Sequence, residues 1–102
     1  MSSFKVVAKV SDIAQGRVKV VEVDGKRIAL CNVNGTIYAI DDLCTHDNGP
    51  LGEGELFNDQ IECPRHGARF DVKTGKVTCF PAVIPVKTYE VRVEEEEVKV
   101  RI

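Results

Sequence analysis

Cysteine and histidine residues form two close pairs in the middle of this 102-residue chain. One residue separates the thiol from the imidazole in Cys44-x-His46, and two separate them in Cys63-x-x-His66. Two ligands on one short loop reach the same metal at little extra entropic cost, and a second loop can complete the shell. The spacing therefore indicates a metal site made of two thiolates and two imidazoles, which takes up both histidines of the chain.

Two kinds of metal centre use this donor set. A single tetrahedral Zn²⁺ binds two cysteines and two histidines, whereas a [2Fe–2S] cluster can take two cysteines on one iron and two histidines on the other. Zinc sites usually pair ligands of the same kind, as in C-x₂₋₄-C with H-x₃₋₅-H. Each pair here mixes the two kinds, so the spacing favours the cluster over zinc.

The elements that must position these pairs are β-strands almost throughout. Runs rich in β-branched residues or alternating in polarity predict strands at 17–23, 26–33, 36–40, 60–62, 69–72, 76–79, 89–93 and 98–102. Asp24-Gly25 and Asn34-Gly35 are typical of two-residue hairpin turns between the first three of these strands. A short helical turn is expected only at 11–16, where Gly16 ends it.

Two irregular loops interrupt the strands. Residues 41–58 are rich in Asp, Gly, Asn and Pro, which favours turns, and a loop of this length in a small domain is usually functional. A second loop, 80–85, contains Pro81 and Pro85. The first Cys/His pair lies in the longer loop, and the second directly follows the predicted strand 60–62.

Composition limits the classes of function. The chain has a formal net charge of −2, no Trp and 6% aromatic residues, which argues against a nucleic-acid partner. No apolar run is long enough to span a bilayer, and the first residues lack the layout of a signal peptide. We therefore expect a single domain over 1–102 that is cytoplasmic and monomeric, with no membrane partner.

The two pairs and their flanking residues resemble the cluster-binding loops of the Rieske family. The likeness continues through Gly49-Pro50-Leu51, Phe70-Asp71, Thr74-Gly75-Lys76 and Phe80-Pro81-Ala82. The resemblance implies one [2Fe–2S] cluster per chain. It implies that Cys44 and Cys63 bind the inner iron, while His46 and His66 bind the outer, more exposed iron.

The resemblance also implies the fold. It predicts an all-β protein, a Rieske-like antiparallel β-sandwich with a small cluster-binding subdomain inserted in a base subdomain. The base would comprise about 1–40 and 83–102, and the cluster-binding part about 41–82. The two cysteines outside the pairs, Cys31 and Cys79, are then expected to pack as small buried thiols.

Departures from the family pattern bear on the redox potential. Rieske proteins of cytochrome bc complexes have two further cysteines in a disulfide, and Gly49 and Arg65 stand at the matching positions here. They also have a Ser and a Tyr that donate hydrogen bonds to the cluster sulfurs, where this chain has Ala68 and Phe70. Such bonds stabilise the reduced cluster. The potential is therefore expected near the low end of the roughly −150 to +300 mV Rieske range.

The resemblance implies an electron carrier, not an enzyme. The sequence resembles the ferredoxin component of bacterial aromatic-ring dioxygenases. In that family the ferredoxin passes single electrons from a flavin-dependent ferredoxin reductase to a terminal oxygenase. The alternative is a Rieske-like small subunit or accessory of another redox enzyme, such as nitrite reductase. A Rieske oxygenase would also need a mononuclear iron held by two His and a carboxylate, and His46 and His66 are already committed. The acidic segment 41–59, opposite Arg65 and Arg69, is a candidate for steering redox partners.

Overall fold

The protein is almost entirely β-structure in the computed structural model, which describes residues 3–45 and 49–102. The strands are β1 (Phe4–Lys9), β2 (Val18–Val23), β3 (Lys26–Val33), β4 (Thr36–Asp41), β5 (Glu55–Phe57), β6 (Gln60–Glu62), β7 (Arg69–Asp71), β8 (Val77–Cys79), β9 (Thr88–Tyr89), β10 (Val91–Glu94) and β11 (Glu97–Arg101). Short 3-10 helices lie at Val10–Asp12 and Leu51–Glu53. No helix among the described residues has the length and apolar character needed to cross a membrane.

The strands form three antiparallel sheets. The first has the order β1-β11-β10, the second β2-β3-β4-β9, and the third β5-β6-β7-β8. Every neighbouring pair is antiparallel. The two ends of the chain supply the first two sheets, and the continuous middle segment supplies the third. The third sheet therefore contains the strands on either side of the second Cys/His pair.

The two tight hairpins of the second sheet have the predicted turns. Asp24 and Gly25 have φ values of 51° and 79°, and Asn34 and Gly35 have 54° and 92°. Two consecutive positive φ values are characteristic of the type I′ turn, whose twist matches that of the flanking strands. The turns fix the register of β3 against both of its neighbours.

Strand β3 contributes to two separate cores. The first core consists of Ile13, Ile28, Leu30, Ile37, Ala39, Val98 and Val100. The second core consists of Ala29, Cys31, Val33, Ile40, Cys44, Leu51, Ile61, Cys63, Ala68, Phe70, Val72, Ala82 and Val86. Successive side chains of a strand point to opposite faces, so Ile28 and Leu30 enter the first core while Ala29 and Cys31 enter the second. The second sheet thus lies between the two cores.

Several elements differ from the sequence prediction, among them β1 (Phe4–Lys9), where no strand is predicted. The helical turn expected at 11–16 is a 3-10 turn at Val10–Asp12. Strand β5 and the 3-10 helix at Leu51–Glu53 lie within the segment predicted as an irregular loop. β5 has only three residues and exists through its pairing with β6. Such a short strand has no hydrophobic period of its own, so tertiary pairing decides it.

Candidate metal centre

The loop of the first Cys/His pair connects the end of β4 to the 3-10 helix at Leu51–Glu53. The Cys44 N–H donates to the Gly49 carbonyl at 2.7 Å, which closes a tight loop within it. The Cys44 side chain is fully buried. His46 lies outside the described residues, so its role as a ligand stays a prediction.

The loop of the second pair connects β6 to β7 and is closed in the same way. The Cys63 N–H donates to the Ala68 carbonyl at 2.7 Å, and the Gly67 N–H donates to the Cys63 carbonyl at 3.1 Å. Cys63 is buried, whereas His66 on the same turn is exposed. This loop therefore points its thiol inward and leaves its imidazole at the surface.

Both predicted cysteine ligands belong to the second core. Cys44 and Cys63 lie in it with Ala68, Phe70 and Ala82, all with no more than 1% of their surface exposed. A buried thiolate requires a compensating positive charge, and iron supplies one. Buried thiols with an exposed imidazole suit a [2Fe–2S] cluster that is embedded on its cysteine side. Among the described residues, no three Cys, His, Asp or Glu side chains are grouped so that they could hold a single metal ion. The predicted ligand set also includes His46, which lies outside the described residues.

The other two cysteines differ from each other. Cys31 is buried in β3, and burial raises the pKa of its thiol to about 12, so it stays protonated and uncharged at neutral pH. Cys31 therefore packs as a small buried thiol, as the sequence predicts. The expectation of burial is wrong for Cys79, which is exposed. It ends β8, an edge strand with a neighbour on one side only, and none of the three side chains of β8 is fully buried.

Ala68 and Phe70 are both completely buried in the core that contains the two cysteines. Phe70 lies on β7 opposite Ile61 of β6, and Ala68 accepts the backbone hydrogen bond from Cys63. Neither side chain carries a hydroxyl. The loop of the second pair is thus backed by apolar groups on its inner side.

An apolar surface lies beside the first loop. Phe80 and Val83 are 78% and 72% exposed, and their neighbour Ile84 is also exposed. The Thr45 hydroxyl donates to the Ile84 carbonyl at 2.5 Å. This bond joins the residue after Cys44 to the proline loop, which we define as 80–85. The proline loop therefore presents apolar side chains next to the candidate metal centre.

One residue of the site was not singled out by the sequence. Asp42 precedes Cys44 by two positions and belongs to the acidic segment 41–59, which the sequence indicates only as a candidate for steering redox partners. Its side chain is fully buried and pairs with Arg27 at 3.0 Å. An aspartate in an Asp- and Gly-rich loop carries no local signal of burial, because its partners come from distant positions in the chain.

Comparison with known proteins defines the class. Residues 3–90 match the Rieske [2Fe-2S] domain family, and the chain belongs to that family. It is 48% identical over 90 residues to the ferredoxin component of the naphthalene 1,2-dioxygenase system of Pseudomonas putida. That alignment covers 88% of this chain and 86% of the relative.

Solved structures agree in fold along nearly the whole chain. The ferredoxin of carbazole 1,9a-dioxygenase from Nocardioides aromaticivorans has a TM-score of 0.92 and 36% identity, covering 97% of each chain. A chain from a complex of reduced oxygenase and oxidized ferredoxin in carbazole 1,9a-dioxygenase has a TM-score of 0.91 and 39% identity, covering 95% of this chain and 91% of that one. The predicted Rieske fold is confirmed. The protein is an electron carrier with a [2Fe–2S] cluster and not an enzyme.

Proposed function

We propose that the protein carries single electrons from a flavin-dependent ferredoxin reductase to the terminal oxygenase of an aromatic-ring dioxygenase system. The observation that carries this proposal is the pairing of two buried cysteines with an exposed histidine on two closed loops, in a chain whose relatives are dioxygenase ferredoxins. When bound, the [2Fe–2S] cluster supplies and accepts one electron at a time. The same relatives favour this function over that of a nitrite reductase subunit.

Four residues are proposed to hold the cluster. Cys44 and Cys63 bind the inner iron, which their burial in the second core supports. His46 and His66 bind the outer iron, and the exposure of His66 supports a position at the surface. The protein's part is to hold these ligands, to exclude water from the cysteine side and to leave a short distance between the outer iron and a partner.

We also propose the division of the 102-residue domain into a base, about 1–40 and 83–102, and a cluster-binding part, about 41–82. The third sheet lies entirely within the second range, which supports this division. We propose that the protein is a monomer in the cytoplasm. The Cys79 thiol is exposed and forms no disulfide, which suits a reducing compartment.

The proline loop is proposed as the contact surface for the oxygenase. An apolar patch at the surface of a small protein commonly marks an interaction site. Phe80 and Val83 are the two most exposed large apolar side chains among the described residues. The Thr45–Ile84 hydrogen bond holds them beside the first ligand loop, so a partner bound there lies close to the cluster.

The test combines cluster content with electron transfer. Cys44→Ala and Cys63→Ala are expected to purify with less than about a tenth of the iron and sulfide of the wild type, because a structural ligand is lost. Cys31→Ala, which changes a buried thiol of the same core, should keep the cluster. The reduced wild type should be reoxidised by the terminal oxygenase of a naphthalene, 3-phenylpropionate or carbazole dioxygenase system, the three systems to which ferredoxins similar to this chain belong. Visible absorption follows the reaction.

Two results would contradict the proposal. A colourless wild-type protein that holds zinc would overturn the cluster assignment, and a full cluster in Cys44→Ala would overturn the ligand assignment. If the wild type carries the cluster but reduces none of the three oxygenases, the proposed partner class is wrong.

A further inference from the structure

Asp42 is a buried carboxylate at the point where the first ligand loop leaves the second sheet. Its Oδ2 accepts a hydrogen bond from Arg27 Nε at 3.1 Å and lies 3.0 Å from Arg27 Nη2. The Asp42 N–H donates to the Arg27 carbonyl at 3.0 Å. Arg27 belongs to β3, so both the backbone and the side chain of Asp42 are attached to the central strand of the fold.

The other oxygen of the same carboxylate holds the far end of the loop. Asp42 Oδ1 accepts a hydrogen bond from the Gly52 N–H at 2.6 Å. Residues 43–51 lie between these two attachment points and include Cys44 and Leu51, both fully buried. The carboxylate therefore bridges the two ends of the loop that carries the first Cys/His pair. We call these ends, Asp42 and Gly52, the neck of the loop.

The backbone at Gly52 is pressed closely against this carboxylate. A Cβ added at Gly52 would lie 2.9 Å from Asp42 Oδ1 and 2.1 Å from Val20 Cγ2. A side chain at this position would therefore displace the Val20 side chain and press on the Asp42 carboxylate. Packing and hydrogen bonding thus hold Asp42 and Gly52, the two ends of the loop, together.

We propose that Asp42 is a positioning residue for the metal centre. By holding Gly52 against the strand of Arg27, its carboxylate sets the position from which Cys44 meets the cluster. This inference rests on the proposed assignment of Cys44 as a ligand. A charge-assisted hydrogen bond is stronger than a neutral one, and loss of a group that orients metal ligands typically weakens metal binding roughly 10- to 100-fold.

Two substitutions at Asp42 separate the hydrogen bond from the charge. Asp42→Ala removes the acceptor for the Gly52 N–H and leaves Arg27 without this partner. The holoprotein should then lose its cluster to a chelator roughly 10- to 100-fold faster than the wild type. Asp42→Asn keeps an oxygen for the Gly52 N–H and loses the attraction to Arg27, so its rate should lie between those of the alanine variant and the wild type.

Two further readouts distinguish positioning from general stability. The visible circular dichroism and the electron paramagnetic resonance spectrum of the cluster should change in Asp42→Ala, because the ligand geometry changes. Hydrogen exchange at the Gly52 amide should accelerate in the holoprotein at least tenfold. A residue that merely stabilises the fold would shift the denaturation midpoint and leave the spectra of the remaining folded protein unchanged.

Asp41→Ala is the matched control. Asp41 is the neighbouring residue at the end of β4, and its carboxylate accepts a 2.5 Å hydrogen bond from the Tyr89 hydroxyl. Its backbone N–H donates to the Lys87 carbonyl, so its carboxylate and its N–H bind the segment around β9 and not Arg27 or Gly52. The cluster of this variant should be released at a rate within twofold of the wild type, with unchanged spectra.

The inference is overturned if Asp42→Ala matches the wild type in release rate and spectra, or if Asp41→Ala changes both to the same extent. If Asp42→Ala does not fold, Asp42→Asn decides: faster release with altered spectra supports the inference, and wild-type behaviour overturns it. Cys44→Ala in the same series tests the ligand assignment separately. If it keeps the cluster, the proposed ligands are wrong; if it loses the cluster while Asp42→Ala is unaffected, only the positioning role is wrong.

Discussion

At the scale of single residues, the four cysteines have the same side chain and differ in their surroundings. Cys44 and Cys63 each lie on a loop closed by a backbone hydrogen bond and face the second core. Cys31 lies in mid-strand, where burial raises its pKa to about 12, and Cys79 is exposed on an edge strand. A cysteine binds a metal as its thiolate. The loops thus define the ligands more clearly than burial does, since three of the four thiols are buried.

Ala68 and Phe70 are expected to keep the reduction potential low. In Ala68→Ser with Phe70→Tyr, two hydroxyls would face the core that contains the cysteines, and hydrogen bonds to the cluster would favour its more negative reduced state. If each bond contributes about 1 kcal/mol, the midpoint should rise by about 40 mV per hydroxyl. Redox titration followed by circular dichroism measures this shift.

Ala29→Ser is the control for this pair. Ala29 is also fully buried in the second core, but it lies on β3 and not on a ligand loop or on β7. The midpoint potential of the Ala29→Ser variant should stay close to that of the wild type. An unchanged midpoint in the double variant, or an equal rise in Ala29→Ser, would show that hydroxyls at Ala68 and Phe70 do not act on the cluster.

At the scale of elements, turns and loops decide how the third sheet joins the rest of the fold. The Gly75 N–H donates to the Asp71 carbonyl at 2.7 Å, and the Gly75 carbonyl accepts from the Val86 N–H at 2.9 Å. This glycine thereby connects the turn between β7 and β8 to the segment that leads into β9. A Cβ at Gly75 would lie 2.1 Å from the Val86 carbonyl oxygen.

Gly75→Ala should therefore lower the free energy of unfolding of the holoprotein by more than the positive φ of this position accounts for. Gly75 has a φ of +81°, and Gly25 has nearly the same φ of +79° with no described heavy atom within 4 Å of the added Cβ. Gly25→Ala should cost about 1 kcal/mol for the left-handed conformation, and Gly75→Ala about 1–3 kcal/mol more for the clash with the backbone. Urea denaturation of both variants measures the difference; equal losses would mean that the contact at Val86 relaxes freely.

At the scale of the whole molecule, the charge pattern of the sequence overstates the acidity of the first loop. Segment 41–59 has acidic side chains and no Lys or Arg. Asp42 is buried against Arg27, and Asp59 lies 3.6 Å from Lys73. Local pairs thus neutralise part of the expected asymmetry. The apolar proline loop is the more direct candidate for partner contact.

If the oxygenase binds the proline loop, substitutions in that loop should weaken its binding, and substitutions elsewhere on the surface should not. Val83→Ser should weaken binding of the oxygenase by about 1 kcal/mol of lost apolar burial, equivalent to about fivefold in Kd. The KM for the ferredoxin in oxygenase reduction should rise accordingly, with the reduction potential unchanged. Val93→Ser is the control, because Val93 is 48% exposed on β10 and belongs to the first sheet. Equal effects of the two variants would argue against the proline loop as the contact surface.

The sequence predicts most of the fold and the chemical class of the site, for identifiable reasons. The hairpins around Asp24-Gly25 and Asn34-Gly35 have local turn signals and strong strand periodicity, and both are confirmed. The burial of Asp42 and the exposure of Cys79 depend on contacts between distant parts of the chain. Short elements such as β5 have the same dependence, because three residues are too few to show a period.

The alternating burial of β3 has a practical consequence for following the assembly of this protein. A shift of β3 by one residue would exchange Ala29 and Cys31 with Ile28 and Leu30, so that each core would receive the side chains meant for the other. The second core would then no longer fit around the proposed iron ligands. The colour of a sample refolded with iron and sulfide should therefore report on strand register, which makes visible absorption a screen for misfolded β3 variants without any structure determination.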